Sequence, residues 1–175
     1  MSDFNLTATG VVIHPHKVLR DKAEPIGDVT QDHQELARKM VEIMSLSNGI
    51  GLAAPQIGKS LRMLVMLHRS KAEEGPKPII MIDPDIISAN AEETELVEGC
   101  LSIPGKRFIV KRPSVVRVGF TFLDNKRYEM EFGGISAKCA QHEIDHLNGI
   151  LICDRGPEFV PEAKLDVPQP VSVKP

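Results

Sequence analysis

A chain of 175 residues, 42% of them apolar, is long enough to fold as one domain with a sizeable core. Its net charge of -3, without a cluster of Lys and Arg, argues against nucleic acid as a specific partner, because phosphate binding requires grouped cations. No stretch approaches the ~20 apolar residues of a membrane span, and residues 1–10 resemble neither a secretory signal nor a transit peptide. Three cysteines are too few, and odd in number, for a secreted disulfide framework. We therefore expect a cytoplasmic protein, monomeric by default.

The first predicted helix follows an irregular segment at residues 11–27. Thr30 is its expected N-cap, because a hydroxyl there can accept a hydrogen bond from the first turn, and Gly49 ends it. Its apolar stripe at helical spacing, typical of a packing helix, consists of Leu36, Met40, Ile43 and Met44. Residues 49–58 are rich in glycine, alanine and proline, and we interpret them as a break before the first strand.

Strands are predicted in the middle of the chain. Short apolar or extended runs indicate three of them, at residues 62–67, 79–82 and 92–97. The second of these is expected to end at Asp83-Pro84. Apolar and polar residues alternate at 116–122 and again at 128–132, on either side of a polar turn, which predicts a hairpin with one buried face.

A second helix is predicted at residues 135–148, ended by Gly149, and a last short strand at 151–153. Strands that lie between two helices, without regular alternation, predict an α+β fold. We expect mixed or antiparallel sheets packed around this second, central helix, with the other helix on the N-terminal side. Residues 1–155 then form a single domain. Residues 156–175 contain five of the 13 prolines and are expected to be an extended or disordered tail.

The predicted central helix carries an H-E-x-x-H motif made of His142, Glu143 and His146. A spacing of four residues places both imidazoles on one helix face, where they can bind a single metal ion. Glu143 lies next to the first ligand, within reach of a water molecule at such an ion, and can act as its general base. The motif therefore predicts a metallohydrolase.

A catalytic metal site of this kind needs a third protein ligand. Downstream of His146 there is no histidine, and the only glutamates, Glu158 and Glu162, lie in the proline-rich tail. Upstream, Cys100 lies in what we interpret as a tight loop with a glycine, which suits a thiolate ligand. A cysteine considered by itself is more often a small buried apolar residue. Beside an H-E-x-x-H helix, metal binding is the favoured interpretation.

Three motifs connect these residues to a known family. They are GIGLAAPQ at residues 49–56, EGCLS at 98–102 and QHEIDHLNG at 141–149. In order and spacing they resemble the three sequence motifs of peptide deformylases, and the resemblance covers residues 11–155, including RDKAEP at 20–25 and ILICDR at 150–155. It implies a catalytic domain that removes the N-formyl group from the N-terminal methionine of nascent polypeptides and releases formate.

The resemblance also implies the roles of the metal site. Cys100, His142 and His146 bind one divalent metal ion, and Glu143 is the general acid and base. Fe(II) is expected in the cell, and nickel, cobalt or zinc can substitute for it. The sequence itself does not choose among these metals, because a thiolate and two imidazoles suit all of them.

Substrate contacts are implied as well. The side-chain amide of Gln56 and the backbone N–H of Leu101 are expected to donate hydrogen bonds to the formyl oxygen. By the same resemblance, Ile50, Gly51 and Gly99 are expected to bind the peptide through their backbone, and Arg107 to lie near the exit. Ile135 and Cys139 lie seven and three residues before His142, so they share its helix face; together with Ile50 they are either the walls of the methionine pocket or ordinary core residues. Lys138 shares a helix face with His142 and is expected to edge the pocket or to be solvated.

Two alternatives remain open from the sequence. A zincin-like metalloprotease would take its third ligand from downstream and would have no use for Gln56 or Cys100. A catalytically silent relative could keep the fold as a binding module, but it could also lose Glu143 or Gln56, and both are present. Many deformylases end in a longer C-terminal helix linked to ribosome docking. The prolines of residues 156–175 argue against such a helix, so at most a weak ribosome contact is expected.

Overall fold

The computed structural model describes residues 5–69 and 75–161. Within these ranges it contains two α-helices, α1 (Gln31–Leu46) and α2 (Gly134–Leu147). Its strands are β1 (Gly51–Ala53), β2 (Met63–His68), β3 (Lys77–Ala89), β4 (Glu93–Cys100), β5 (Ile103–Pro113), β6 (Val115–Thr121) and β7 (Arg127–Gly133). Most of the predicted tail, residues 162–175, lies outside the described residues. Neither of the described helices is long and apolar enough to cross a membrane.

The strands form two antiparallel sheets. One has five strands in the order β1-β2-β3-β6-β7, and the other consists of β4 and β5. The larger sheet lies between the two helices. Strand β2 shows this, because its successive side chains point to opposite faces of the sheet. Leu64 and Met66 join the core that contains α2, whereas Met63 and Val65 join the core that contains α1. The predicted α+β fold, with sheets around the motif helix, is confirmed.

Both predicted helices are confirmed with small shifts of their ends. Thr30 is the N-cap of α1, where its backbone N–H donates to Nδ1 of His33 over 3.1 Å. After α2 the chain turns at Gly149, which has φ +71°. A β-carbon there would lie 2.3 Å from the carbonyl oxygen of Arg20. Only glycine fits this turn, because it tolerates positive φ and takes up no side-chain space.

Two strand predictions were wrong. Residues 151–153 do not form a strand: Ile152–Asp154 is a single 3₁₀ turn, held where Oδ2 of Asp154 accepts the backbone N–H of Leu151 over 2.8 Å. Strand β3 does not end at Asp83-Pro84 but continues to Ala89. Its register with β6 shifts between Ile82 and Asp85, and this bulge lets the strand accommodate a proline that cannot donate to the ladder.

Other elements were not foreseen. Strand β5 was not predicted, and residues 49–58, interpreted as a break, contain β1 and the 3₁₀ turn Ala54–Ile57. Cys100 is the last residue of β4 rather than part of a loop, and the turn to β5 consists of Leu101 and Ser102. This strand-to-turn junction directs the Cys100 side chain inward, where it is buried.

Candidate metal centre and active site

Helix α2 and the end of β4 bring three ligand atoms together. The side chains of Cys100, His142 and His146 are buried, and their ligand atoms lie within 4.8 Å of one another. Sγ of Cys100 is 3.3 Å from Nε2 of His146. Ligands at the usual ~2.0–2.3 Å from a tetrahedral ion are separated from one another by distances of this order. The donor atoms therefore fit one divalent metal ion.

A buried carboxylate orients the first histidine. Oε2 of Glu98 is 3.0 Å from Nδ1 of His142, which leaves Nε2 of the ring free to bind a metal. Burial opposes ionisation of Glu98, but hydrogen bonds from His142 and Arg112 outweigh it and hold the pKa of this carboxyl at about 2. Burial lowers the pKa of His146 well below its ordinary value, which favours the neutral imidazole that metal binding requires.

Glu143 points into the same buried space. Among the residues that the structure describes, its Oε2 atom finds no hydrogen-bond partner. Burial raises the pKa of its carboxyl to about 7, although the charges of His142 and Arg112 oppose the shift. A pKa near neutrality suits a group that must both accept and return a proton. The backbone of β1 passes close by, because a β-carbon on Gly51 would lie 2.3 Å from Oε1 of Glu143.

Gln56 reaches the metal site from the 3₁₀ turn after β1. Its side chain is buried, and its Oε1 accepts the backbone N–H of Ala53 over 2.8 Å. Its Nε2 donates to Oγ of Ser102 over 3.2 Å and lies 3.8 Å from Sγ of Cys100. Since the oxygen is held by Ala53, the amide N–H donors face the ligand cluster. Leu101 follows Cys100 directly, in the turn between β4 and β5.

Comparison with known proteins assigns the family. A sequence profile described as polypeptide deformylase matches residues 8–161. The chain belongs to this family. The peptide deformylase of Nitrobacter hamburgensis is 48% identical over 147 residues, covering 82% of this chain and 84% of that protein. Members of the family are metal-dependent hydrolases that remove the N-formyl group from new polypeptides, and this is the activity of this chain.

Solved deformylase structures share the fold. The deformylase of Synechococcus elongatus in complex with actinonin is 32% identical with a TM-score of 0.79, and the match covers 90% of this chain and 83% of that one. The Met-Ala-Ser-bound deformylase of Acinetobacter baumannii is 32% identical with a TM-score of 0.77, covering 83% of this chain and 96% of that one. The protease alternative is not favoured, since the family profile is that of deformylases and the third candidate ligand beside the two histidines is Cys100, which lies upstream of them.

A cleft of about 1000 Å³ leads to the candidate metal ligands Cys100 and His142 of this deformylase family member. All six residues predicted to bind the peptide line it: Ile50, Gly51, Gly99, Arg107, Ile135 and Cys139. Sγ of Cys139 donates to the carbonyl oxygen of Ile50 over 3.4 Å, which joins the two predicted walls of the methionine pocket. Ile50 and Ile135 remain 48% and 59% exposed at the mouth of the cleft. Their roles in binding stay predictions.

Lys138 is not solvated. It lines the cleft but is only 4% exposed, and its Nζ donates to the backbone carbonyls of Thr94 and Arg112. Burial lowers the pKa of this ammonium group. The side chain therefore ties α2 to β4 and β5. Helical spacing placed Lys138 on the correct face, but it could not show that backbone carbonyls of two strands would accept hydrogen bonds from its ammonium group.

A buried ionic network that was not predicted lies behind the candidate ligands. Arg112 donates to Glu98 over 2.7 Å and to Asp145 over 2.7 Å, and Arg155 donates to the same Asp145 carboxylate. Glu98 and Asp145 lie inside the EGCLS and H-E-x-x-H motifs, and this position was the only sequence feature that could have pointed to them. Nothing local pointed to Arg112 as their common partner, because it lies on the unpredicted strand β5.

Proposed function

We propose that this chain performs the deformylase reaction with Cys100, His142 and His146 holding one divalent metal ion and Glu143 transferring the proton. This assignment rests on one observation: the three candidate ligand atoms lie within 4.8 Å of one another, and the buried carboxyl group of Glu143 lies beside them. That carboxyl has its pKa raised to about 7 by burial. The same cleft contains the candidate groups for binding the formyl oxygen and the peptide.

The proposed proton path uses one residue twice. When bound, a divalent metal supplies the Lewis acidity that makes water nucleophilic near neutral pH. Glu143 accepts a proton from the attacking water, whose oxygen forms a bond to the formyl carbon. The carbon–nitrogen bond then breaks, and Glu143 returns the proton to the leaving amine. The products are formate and a peptide with a free N-terminus.

Gln56 and Leu101 are proposed to stabilise the negative charge that develops on the formyl oxygen. The support is positional: the amide nitrogen of Gln56 lies 3.8 Å from Sγ of Cys100, and Leu101 is the next residue in the chain. Two N–H donors that are held in place before the reaction need no reorganisation in the transition state. Loss of one such donor costs roughly 3–4 kcal/mol of barrier lowering.

The nascent peptide is proposed to bind along the cleft by strand-like backbone pairing. Ile50, Gly51 and Gly99 line the cleft, and a β-carbon built on Gly99 would meet no atom within 4 Å. The methionine side chain then lies between Ile50, Ile135 and Cys139, and Arg107 stands farther along. Binding of Met-Ala-Ser by the deformylase of Acinetobacter baumannii supports a tripeptide-sized substrate here.

Fe(II) is the proposed metal in the cell, with nickel, cobalt or zinc able to replace it. A thiolate with two imidazoles accepts all four ions, and family resemblance favours iron. We place the enzyme in the cytoplasm as a monomer, where formylated nascent peptides arise and where its three free cysteines stay reduced. A catalytic domain over residues 1–155 and at most a weak ribosome contact complete this proposal.

The test joins metal analysis to formate release. Protein purified without oxygen and reconstituted with Fe(II), Ni(II) or Zn(II) is incubated with formyl-Met-Ala-Ser. We expect about one metal ion per chain, because residues 5–69 and 75–161 contain one Cys/His/His group, with strong release in iron or nickel and weaker release in zinc. Bound metal without release from any form would contradict the proposed reaction and favour the silent relative. Size-exclusion chromatography of the same samples tests the monomer.

A further inference from the structure

Lys138 is a buried cation on the helix that carries the two candidate histidine ligands. It lies four residues before His142, so both side chains occupy one face of α2. Its Nζ donates to the carbonyl oxygen of Arg112 over 2.6 Å and also to that of Thr94. Charged side chains are almost never fully buried without partners, so these two bonds are what allows the ammonium group to stay inside the protein.

The two carbonyl groups belong to one position of the small sheet. Thr94 on β4 and Arg112 on β5 are paired in the antiparallel ladder. Strand β4 ends at Cys100, the third candidate ligand. The ammonium group of Lys138 therefore joins the helix that carries the histidines to both strands of the sheet that carries the cysteine.

Helix α2 holds Arg112 at both ends of the residue. The carbonyl oxygen of Arg112 accepts from Lys138, and its guanidinium donates to Oδ2 of Asp145 over 2.7 Å. Lys138 and Asp145 are seven residues apart, about two helical turns, so they lie on the same face of α2. Between them, Gln141 donates to the carbonyl of Pro113 over 3.0 Å. One stripe of α2 thus fixes the end of β5.

The guanidinium of Arg112 in turn holds the carboxylate that orients His142. Nε of Arg112 lies 2.7 Å from Oε1 of Glu98, and the other side-chain oxygen, Oε2, lies 3.1 Å from Nη2. A two-point pair of this kind fixes the plane of the carboxylate. Oε2 is also the atom that lies 3.0 Å from Nδ1 of His142. A displacement of Arg112 would therefore move Glu98 and, with it, the imidazole ring.

We propose that Lys138 is a positioning residue of the metal site, which acts through Arg112 and Glu98 on the orientation of His142. This inference rests on the proposed function, in which His142 is a metal ligand. Without the donors of Lys138, the Arg112 carbonyl loses its bond to α2, and the guanidinium holds Glu98 less rigidly. Removal of a group that orients a metal ligand weakens metal affinity by about 10- to 100-fold. Lys138 acts one contact farther away, so the lower end of this range is expected.

The test measures the Zn(II) affinity of the full chain by competition with a chelating dye. Lys138→Met keeps a long side chain but donates no hydrogen bond, and we expect it to weaken the affinity by about tenfold. Lys138→Arg retains N–H donors and is expected to restore most of the affinity. Lys111→Met is the matched control, because Lys111 is an exposed lysine of the same strand, 3.5 Å from a carboxylate oxygen of Glu93, and it should keep the wild-type affinity.

A double variant tests the route through Glu98. Residues of one network have non-additive effects, so Lys138→Met should add little to the loss that Glu98→Gln causes. In a Glu95→Gln background, Lys138→Met should weaken Zn(II) binding as much as it does alone, because Glu95 is on the exposed side of β4. Losses of affinity that multiply fully in the Glu98→Gln background would show that Lys138 acts independently, and would overturn the inference.

Thermal unfolding of the metal-free variants separates support of the site from general stability. Lower stability of Lys138→Met with wild-type Zn(II) affinity overturns the inference. If this variant does not fold, Lys138→Gln takes its place with the same expectation, because its amide is one bond shorter and cannot reach both carbonyls. A raised KM for formyl-Met-Ala-Ser with unchanged Zn(II) affinity assigns Lys138 to the substrate cleft and overturns the inference as well. Absence of Zn(II) binding by the wild type contradicts the proposed function itself.

Discussion

Gly51 and Glu143 lie so close together that a β-carbon on Gly51 would be 2.3 Å from Oε1 of the carboxylate and 2.7 Å from Sγ of Cys139. Strand β1 can therefore pass the proposed general base only because residue 51 has no side chain. The contact sets where the Glu143 carboxylate stands relative to the metal ligands, although the two residues belong to different motifs.

Gly51→Ala is expected to lower kcat by about 100-fold, because a displacement of ~1 Å at a reacting group has an effect of that size. Metal content is expected to stay near one ion per chain, since none of the three ligands moves directly. Formate release and metal analysis check both statements. Gly133→Ala is the matched control, because a β-carbon there would meet only a Val115 methyl group at 4.0 Å. Equal rates for the two variants would refute the steric explanation.

Glu143→Ala is expected to lower kcat by about 100- to 10,000-fold while metal binding is retained, because the variant loses a general base but no ligand. Single-turnover formate release and metal analysis test this. Glu131→Gln on the exposed face of β7 serves as the control and keeps wild-type activity. Substantial turnover by Glu143→Ala would exclude this residue as the base.

Cys100→Ser is expected to lose its metal ion or to change metal preference, because a hydroxyl group is a much weaker ligand than a thiolate for these ions. Metal content after dialysis against a chelator measures the effect. Cys153→Ser alters a cysteine outside the ligand cluster and should bind metal as the wild type does. Unchanged metal content in Cys100→Ser would revive the zincin-like alternative, which needs no cysteine.

Glu98→Gln is expected to weaken metal affinity by about 10- to 100-fold, since the carboxylate that orients His142 loses its charge. The variant also leaves Arg112 with one charged partner, Asp145, so some loss of stability accompanies the change. Competition with a chelating dye gives the affinity. Glu95→Gln lies on the exposed side of the same strand and is the control. A Glu98→Gln affinity equal to that of Glu95→Gln would show that the carboxylate does not support the ligand.

Gly149→Ala is expected to lose more stability than Gly27→Ala. Both glycines have positive φ, so alanine strains either turn by about 1–3 kcal/mol. Only at Gly149 does the β-carbon also meet the carbonyl oxygen of Arg20, at 2.3 Å. Urea denaturation measures the free energy of unfolding of both variants. A similar loss in both would mean that backbone strain alone explains the requirement for glycine in the turn after α2.

Local patterns predicted the elements whose side chains repeat with a clear period. The stripe of α1, the H-E-x-x-H face of α2 and the alternation in β6 and β7 follow from the geometry of a single helix or strand. The two helices and the hairpin are confirmed, but Tyr128, on the predicted buried face of the hairpin, is 41% exposed. Strand β5 was missed because polar and charged residues interrupt its alternation. Arg112, one of these, is buried only because Glu98 and Asp145 are there to pair with it.

The amino-acid sequence by itself determined the reaction class and pointed to the candidate ligands Cys100, His142 and His146, since motif spacing and family resemblance are read directly from the residues. Only the tertiary structure decided how distant residues support that site. The short contact between Gly51 and Glu143, the bond from Glu98 to His142, the burial of Lys138 and the pairing of Phe159 with Arg107 each join positions far apart in the chain. Periodicity describes one element at a time, whereas these contacts depend on how two elements pack.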